Sequence, residues 1–222
     1  MSSPDRVQKH FDKDAQRFDA IYVERKPVHQ RLVDRMFRQV VLERFRLVCN
    51  LAPGEAPWSV LDVGCGSGRY GIALAREGAV RALGLDFSER MIMLARQEAA
   101  AAGLTERCTF EVCEFMNWRA QDPFEVVLAM GYFDYLRDPL AHLRKMTGLC
   151  SCRLFASFPK RWEWRAPSRK ARFALQNAFV RFYSRGEVES LVAAAGIPGE
   201  RATLLDFDRD WILVARPGPL SR

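Results

Sequence analysis

The sequence predicts one α/β domain, built on a doubly wound seven-stranded sheet whose last strand runs antiparallel. From residue 58 onward, short apolar runs alternate with segments of helical periodicity, which is typical of a parallel sheet covered by helices on both faces. Only three residues, Asp208, Arg209 and Asp210, separate the last two apolar runs, and so short a link favours an antiparallel hairpin. The length of 222 residues and the apolar fraction of 49% suit a single globular domain.

The predicted elements follow in order along the chain. Ser88 is the N-cap of an alanine-rich helix that Gly103 closes. Asp138 begins a further helix, and Ser184 followed by Glu187 forms a capping box for the last one. The predicted helices are Tyr70–Arg76, Glu89–Ala102, Pro139–Met146 and a last one that ends at Ala195. The predicted strands are Trp58–Val63, Arg81–Leu85, Cys108–Cys113, Phe124–Met130, Arg153–Phe158, Arg201–Phe207 and Trp211–Ala215.

The N-terminal region is predicted to be a helical cap. Apolar residues recur at helical spacing from Val28 to Val48 with arginines between them, the pattern of a basic amphipathic helix. Packing onto the domain is the default interpretation of such a helix, and lying on a membrane surface is the alternative. The predicted parts of the domain are a cap (1–50), a core (51–159), an aromatic and basic segment (160–183) and a C-terminal helix and strand pair (184–222).

Positive charge is concentrated in one stretch of the chain. The formal net charge is +7, and the stretch from Lys160 to Arg185 alone sums to that value. A local basic patch favours an anionic partner, either a carboxylate or phosphate substrate or an acidic lipid surface, although a solvated helix face has the same pattern. The basic residues concerned are Lys160, Arg161, Arg165, Arg169, Lys170, Arg172, Arg181 and Arg185.

Other features restrict the chemical and cellular setting. No apolar run approaches the roughly 20 residues of a membrane-spanning helix, and the polar N-terminus lacks the apolar core of a secretory signal. We therefore expect a cytoplasmic protein. The six cysteines form no C-x-x-C pair and the chain has only three histidines, so we expect reduced, buried thiols and no metal site.

A glycine loop carries the main chemical signal. Residues 60–68 read VLDVGCGSG, directly after a predicted strand and before a predicted helix. Gly64, Gly66 and Gly68 permit a tight turn and let a ligand approach the backbone. About 20 residues later Asp86 ends the second predicted strand, where an acid accepts both hydroxyls of a ribose. The loop and the acid together predict a nucleotide-type cofactor.

With these residues the chain resembles the class I S-adenosylmethionine-dependent methyltransferases, whose fold is Rossmann-like. The segments LDVGCGSG, LGLDFSERMIMLA and VVLAMG match that family's motifs in order and spacing over residues 58–158. Dinucleotide sites instead read G-x-G-x-x-G. Here the acid Asp62 precedes G-x-G-x-G, so the resemblance separates this loop from a dinucleotide site.

The resemblance implies S-adenosyl-L-methionine as the cofactor. Asp62 and the first two glycines would surround its methionine half, and Asp86 would hold the ribose. Glu114, where the family more commonly has Asp, would lie near the adenine. The residues that the resemblance implies for this site are Asp62, Gly64, Cys65, Gly66, Gly68, Asp86, Phe87, Met91, Glu114, Phe115, Met130 and Gly131.

The resemblance also restricts the methyl acceptor. After the fourth strand the chain reads GYFDYL, without the Asn-Pro-Pro-Tyr signature of many base methyltransferases, so we expect no DNA partner. Residues 160–183 follow the fifth strand, where such enzymes build an acceptor lid. Aromatic rings there would cover a flat apolar body and guanidinium groups would hold a carboxylate or phosphate. The candidate acceptor-binding residues are Tyr132, Trp162, Arg165, Arg169 and Tyr183.

No general base stands out in the sequence. His10, His29 and Asp134 are the candidates, and His142 is interpreted as a structural helix residue. A carboxylate or phenolate acceptor needs no base, since alignment in a dry site is then sufficient. The C-terminal half looks similar to small-molecule O-methyltransferases of the ubiquinone-precursor and magnesium-protoporphyrin types. We therefore expect a small, anionic or aromatic oxygen acceptor. A lipid-linked or saccharide acceptor at a membrane surface, an RNA or protein acceptor, and a non-catalytic regulator remain alternatives, and the oligomeric state stays open.

Overall fold

A seven-stranded mixed sheet organises the part of the chain that the computed structural model describes, residues 43–52, 57–161, 180–207 and 209–217. Its strand order is β3-β2-β1-β4-β5-β7-β6. Strands β1 to β5 are mutually parallel, and β7 is antiparallel to both of its neighbours, which confirms the predicted fold class. The strands are β1 (Ser59–Val63), β2 (Arg81–Asp86), β3 (Cys108–Val112), β4 (Phe124–Ala129), β5 (Cys150–Pro159), β6 (Ala202–Phe207) and β7 (Asp210–Ala215).

Three of the helices begin at the capping residues that the sequence predicts. The Ser88 hydroxyl accepts a hydrogen bond from the Met91 backbone N–H, and Ser184 and Glu187 form the reciprocal capping box. The Asp138 carboxylate accepts from the Ala141 N–H. The helices are α1 (residues 43–51), α2 (Arg69–Arg76), α3 (Glu89–Ala101), α4 (Pro139–Leu149) and α5 (Arg185–Ala194), with short 3-10 turns at Phe133–Tyr135 and Gly199–Arg201.

The junction between α4 and β5 differs from the prediction. Helix α4 continues three residues past Met146, and within this extension the Thr147 hydroxyl donates to the Leu143 carbonyl at 2.8 Å. Strand β5 then starts at once with Cys150, which pairs with Phe124 on β4. The sequence places this strand start three residues later, because pairing with a distant strand, and not local propensity, sets where β5 begins.

Two apolar cores lie on opposite faces of the sheet. Successive side chains of β1 point to opposite faces of the sheet, so Leu61 lies in the first core and Val60 in the second. Helices α4 and α5 cover the first core with Leu143 and Val188. Helices α1, α2 and α3 cover the second core. Helices on both faces of a mostly parallel sheet are the doubly wound arrangement that the alternating pattern predicts.

The predicted cap and lid lie largely outside the described residues. Residues 43–51 are the helical end of the predicted cap, and Val48 is fully buried in the second core. Arg44 forms an ion pair with Asp210 at the start of β7, which joins α1 to the C-terminal hairpin. Residues 1–42 and 162–179 fall outside the description. None of the described helices has the length and apolarity needed to cross a bilayer.

Candidate functional site

The carboxyl ends of four parallel strands meet at one edge of the sheet. Strand order reverses between β1 and β4, so the loops that follow these two strands leave the sheet in opposite directions. In open α/β sheets the crevice at such a reversal is the usual ligand site. Apart from Asp62, which lies within β1, the residues that the sequence predicts for the cofactor lie at or shortly after the ends of β1, β2, β3 and β4.

The glycine loop after β1 has the backbone conformation that only glycine adopts readily. Gly64, Gly66 and Gly68 have φ values of 70°, 53° and 74°. The Gly64 and Cys65 N–H groups both donate to the Leu85 carbonyl, which fixes the loop to the end of β2. A Cβ atom at Gly66 would meet nothing within 4 Å, so the space beside this residue is open to a ligand.

Gly68 and Gly84 serve packing beneath the loop. A Cβ atom at Gly68 would lie 2.6 Å from the Phe110 ring, and one at Gly84 would lie equally close to that ring and 2.8 Å from the Cys65 sulfur. Both glycines therefore let α2, the loop and β3 come together. Sequence reasoning missed Gly84, although a glycine inside a strand often marks a close approach.

Asp86 holds the glycine loop from the end of β2. Its two carboxylate oxygens accept from the Gly66 and Ser88 backbone N–H groups, each at 2.9 Å. Burial raises the pKa of Asp86 above its usual range, the two hydrogen bonds oppose this effect, and the nearby charge of Glu114 adds to it. An ionised carboxylate offers about four acceptor positions, so these bonds leave capacity for ligand hydroxyls.

Asp62 is a buried acid at the fourth position of β1. It is 2% exposed, and its Oδ2 has no hydrogen-bond partner among the described residues. Burial raises its pKa to about 7, a hydrogen bond from the Gly71 backbone lowers it, and the charge of Asp86 raises it further. A buried carboxylate oxygen without a donor is costly, and a cationic or N–H donor from a ligand would satisfy it.

The remaining cofactor candidates surround the loop at different depths. Burial raises the pKa of the Cys65 thiol well above its usual value, as do the charges of Asp62 and Asp86, so this group stays protonated. Met91 is 5% exposed at the start of α3. Phe87 and Met130 are half-buried, and the Gly131 N–H donates to the Ser157 hydroxyl at 2.7 Å. Ser157, on β5, is a fully buried support that the sequence did not indicate.

The segment after β3 places one acid at the surface and one ring inside. Glu114 is exposed, whereas Phe115 is only 3% exposed. Lys145 on α4 donates to the backbone carbonyls of Phe115, Met116 and Trp118, and its ammonium lies 4.6 Å from the centre of the Phe115 ring. Lys145 thereby fixes the turn after β3 to α4, a role that was not predicted.

Tyr132 and His142 come together beside the loop. The Tyr132 hydroxyl lies 2.8 Å from Nδ1 of His142, and both rings pack against Phe115. A Cβ atom at Gly64 would lie 2.7 Å from the Tyr132 ring, so this ring forms a wall of the loop. The sequence interpretation of His142 as an ordinary helix residue misses this contact, because it depends on how α4 crosses the strand ends.

The other candidate acceptor and base residues are either buried in the fold or outside the described residues. Tyr183 is fully buried, and its hydroxyl donates to the Phe133 carbonyl at 3.0 Å, so the expectation that it contacts the acceptor is corrected to a packing role. Asp134 is 8% exposed, and its backbone carbonyl accepts from the Arg181 N–H. The candidates His10, His29, Trp162, Arg165 and Arg169 lie outside the described residues.

The described basic residues at the two ends of this stretch make contacts within the fold. Lys160 pairs with Asp206, and Arg161 pairs with Glu187 at 2.5 Å. Arg185 pairs with Glu189 one helical turn away at 2.8 Å, and Arg181 donates to the Arg137 carbonyl.

Comparison with known proteins agrees with this geometry. Residues 60–151 match the family model described as a methyltransferase domain. The chain is 32% identical over 143 residues to a ubiquinone biosynthesis O-methyltransferase of Vibrio campbellii, which covers 64% of this chain and 56% of that protein. It is 30% identical over 95 residues to an ajmaline N-methyltransferase of Rauvolfia serpentina, which covers 42% of this chain and 33% of that protein.

A solved structure matches nearly the whole fold. Magnesium protoporphyrin IX methyltransferase from Synechocystis, crystallised with S-adenosylhomocysteine, superposes with a TM-score of 0.78 over 96% of this chain and 99% of that chain, at 21% identity. This likeness establishes the fold. The matched region spans just over half of the first curated relative and a third of the other, and the two are named for different acceptor atoms.

Proposed function

Because the chain carries a class I S-adenosylmethionine-dependent methyltransferase domain, we propose that it transfers a methyl group from S-adenosylmethionine to a small acceptor. We propose an oxygen atom of an anionic or aromatic molecule as the methyl-accepting atom. The observation that carries the proposal is the glycine loop held by the Asp86 carboxylate at the point where strand order reverses.

The residues present fit the cofactor. Oδ2 of Asp62 has no donor among the described residues, and the α-ammonium of a methionine moiety would supply one. Gly66 is open on its α-carbon side, so an extended ligand can lie against the backbone there. Asp86 keeps acceptor capacity for the two ribose hydroxyls. When bound, the cofactor supplies an electrophilic methyl group on a positively charged sulfur.

Support for the proposed acceptor comes from two sources. The half-buried Tyr132 ring, which packs on the buried Phe115 ring, provides aromatic surface at the strand ends, and Arg165 and Arg169 stay candidates for holding a negative charge. One curated relative is named as an O-methyltransferase of ubiquinone biosynthesis, and the structural neighbour is named for a porphyrin. The first name denotes methyl transfer to oxygen, and the second denotes a porphyrin.

Calorimetric titration tests the cofactor part of the proposal. We expect binding of S-adenosylmethionine and S-adenosylhomocysteine and no binding of NAD. Asp86→Ala should weaken cofactor binding by about 1.5–3 kcal/mol, because a charged acceptor of hydrogen bonds is lost. Asp122→Ala removes an exposed acid that precedes β4 and should leave affinity unchanged. Wild-type affinity in the Asp86 variant, or binding of NAD alone, would contradict the assignment.

Turnover assays test the acceptor part. The protein would be incubated with S-adenosylmethionine and, separately, with pooled aromatic carboxylates, pooled phenols, RNA and anionic liposomes, and S-adenosylhomocysteine would be measured by mass spectrometry. We expect product with one of the two small-molecule pools. Product only with RNA or liposomes would overturn the proposed acceptor class and leave the cofactor assignment standing.

A further inference from the structure

Tyr132 and His142 form a hydrogen-bonded pair at the strand reversal. Tyr132 follows β4 by three residues, and His142 lies on the first turn of α4. The Tyr132 Oη and His142 Nδ1 atoms are 2.8 Å apart, the distance of a good O–H···N hydrogen bond. The pair is partly exposed, so protons can reach it from solvent.

The pair is held directly beside the glycine loop. The Tyr132 ring contacts Gly64 so closely that a Cβ atom there would lie 2.7 Å from it. Phe115 packs edge-on against Tyr132 at 6.3 Å between ring centres and lies 6.1 Å from the His142 ring. The rings of Phe115 and His142 therefore fix the direction of the Tyr132 hydroxyl. Lys145 holds the turn that carries Phe115.

The electrostatic surroundings keep both members neutral near pH 7. Burial lowers the pKa of His142 below its usual 6.5, with Lys145 lowering it and Asp138 raising it. Burial raises the pKa of Tyr132 above the usual range, and the charges of Glu114 and Asp86 raise it further. A neutral imidazole accepts a proton, whereas this phenol gives up its proton only as another arrives.

We propose that Tyr132 and His142 form a proton relay for a hydroxyl acceptor. The acceptor O–H bond breaks and its proton bonds to Tyr132 Oη, while the Tyr132 proton moves to Nδ1 of His142. Methyl transfer forms the acceptor O–CH₃ bond and breaks the S–CH₃ bond, which leaves the sulfur neutral. The positive charge lost by sulfur thus appears as one proton on His142, which solvent then removes.

The relay rests on the proposed function and makes its acceptor more specific. A carboxylate carries no proton at neutral pH and gains nothing from a relay, whereas an un-ionised phenol or alcohol does. The pair therefore assigns a protic oxygen acceptor. Tyr132 contacts the acceptor and is the catalytic residue, and His142 acts through it.

Variants separate proton transfer from positioning. His142→Gln keeps a carbonyl oxygen that accepts a hydrogen bond from Tyr132 but takes up no proton. Tyr132→Phe keeps the ring against Gly64 and removes the hydroxyl. Tyr183→Phe is the matched control, because it removes a tyrosine hydroxyl from a buried hydrogen bond outside the site. Thermal melts and calorimetric S-adenosylhomocysteine binding check that each variant folds.

Matched acceptor pairs provide the kinetic test. Formation of S-adenosylhomocysteine would be followed with 2-naphthol against 2-naphthoate and with 4-phenylphenol against biphenyl-4-carboxylate. With the phenols, His142→Gln and Tyr132→Phe should lower kcat by about 10²- to 10⁴-fold, the usual contribution of general acid–base groups. The fall in wild-type kcat/KM below pH 6.5 should be absent in His142→Gln, and Tyr183→Phe should behave like the wild type.

Each result has one meaning. Near-wild-type kcat with the phenols in His142→Gln and Tyr132→Phe, or an unchanged acid limb in His142→Gln, would overturn the relay. Turnover of the carboxylates alone would also overturn it while leaving the proposed function intact. A folded protein that binds the cofactor and methylates neither class would contradict the proposed function itself.

Discussion

Under the proposed function, the buried Asp62 carboxyl group would couple cofactor binding to pH. Its pKa of about 7 means that, between about pH 4 and pH 7, the folded chain holds a proton that the unfolded chain has released. Stability that is present below the unfolded pKa is therefore lost as pH rises through the folded one. The ionised form is the one that pairs with an ammonium group, so the unliganded protein is weakest where the acid is ready to bind.

Asp62→Asn should remove this dependence. The variant carries no charge at this position, so its free energy of unfolding at pH 8 should equal or exceed that of the wild type. The melting temperature should rise by roughly 2–4 °C for each kcal/mol gained in a domain of this size. Affinity for S-adenosylmethionine should rise from pH 6 to pH 8 in the wild type and stay flat and weaker in the variant.

Melts and calorimetry at both pH values check this prediction, with Asp122→Asn as an exposed control. A variant that is destabilised at pH 8 while binding cofactor normally would mean that Asp62 has a structural partner in place of a ligand.

At the scale of a structural element, Lys145 connects helix α4 to the turn after β3. Its ammonium donates to three carbonyls in the turn after β3, including Trp118 at 2.6 Å, and so ties that turn to α4. Lys145→Met should lower the free energy of unfolding by about 1.5–3 kcal/mol, the range for hydrogen bonds to a charged group. Amide exchange should rise over residues 114–119, and cofactor affinity should fall with it. Arg185→Met removes an exposed ion pair one helical turn apart and a 6.0 Å approach to the centre of the Trp211 ring, and should cost at most about 1 kcal/mol.

Urea unfolding and hydrogen exchange measure these effects. If the Lys145 and Arg185 variants lose equal stability, the three carbonyl contacts do not anchor the turn.

Features that are set by contacts within a few residues could be predicted from the sequence. Features that depend on contacts between distant parts of the chain could not. Ser88, Asp138 and the Ser184–Glu187 pair begin helices through contacts within a few residues, so their positions were predictable. The glycine loop and Asp86 were found for a similar reason, since their spacing is fixed along the chain. Ser157 and the Tyr132–His142 contact depend on which strands and helices become neighbours, so no local pattern reveals them.

At the scale of the whole molecule, one buried ion pair connects distant parts of the chain. Arg44 on α1 pairs with Asp210, which begins β7 between β5 and β6, and the two side chains are 16% and 5% exposed. Val48, one turn further along α1, enters the core shared with α2 and α3. The helix next to the predicted cap is thereby attached to the strand pair that follows the predicted lid.

Breaking this pair from one side should cost more than removing it entirely. Asp210→Asn leaves a buried guanidinium without its counter-charge, and a loss of about 3–5 kcal/mol in unfolding free energy is expected, as for other half-broken buried pairs. Arg44→Met should cost a similar amount. The double variant should cost less than either single variant, because it leaves no uncompensated charge behind. Urea unfolding of all four proteins measures this coupling. Additive losses would mean that the pair is screened by water and that apolar packing around Val48 alone attaches α1 to the sheet.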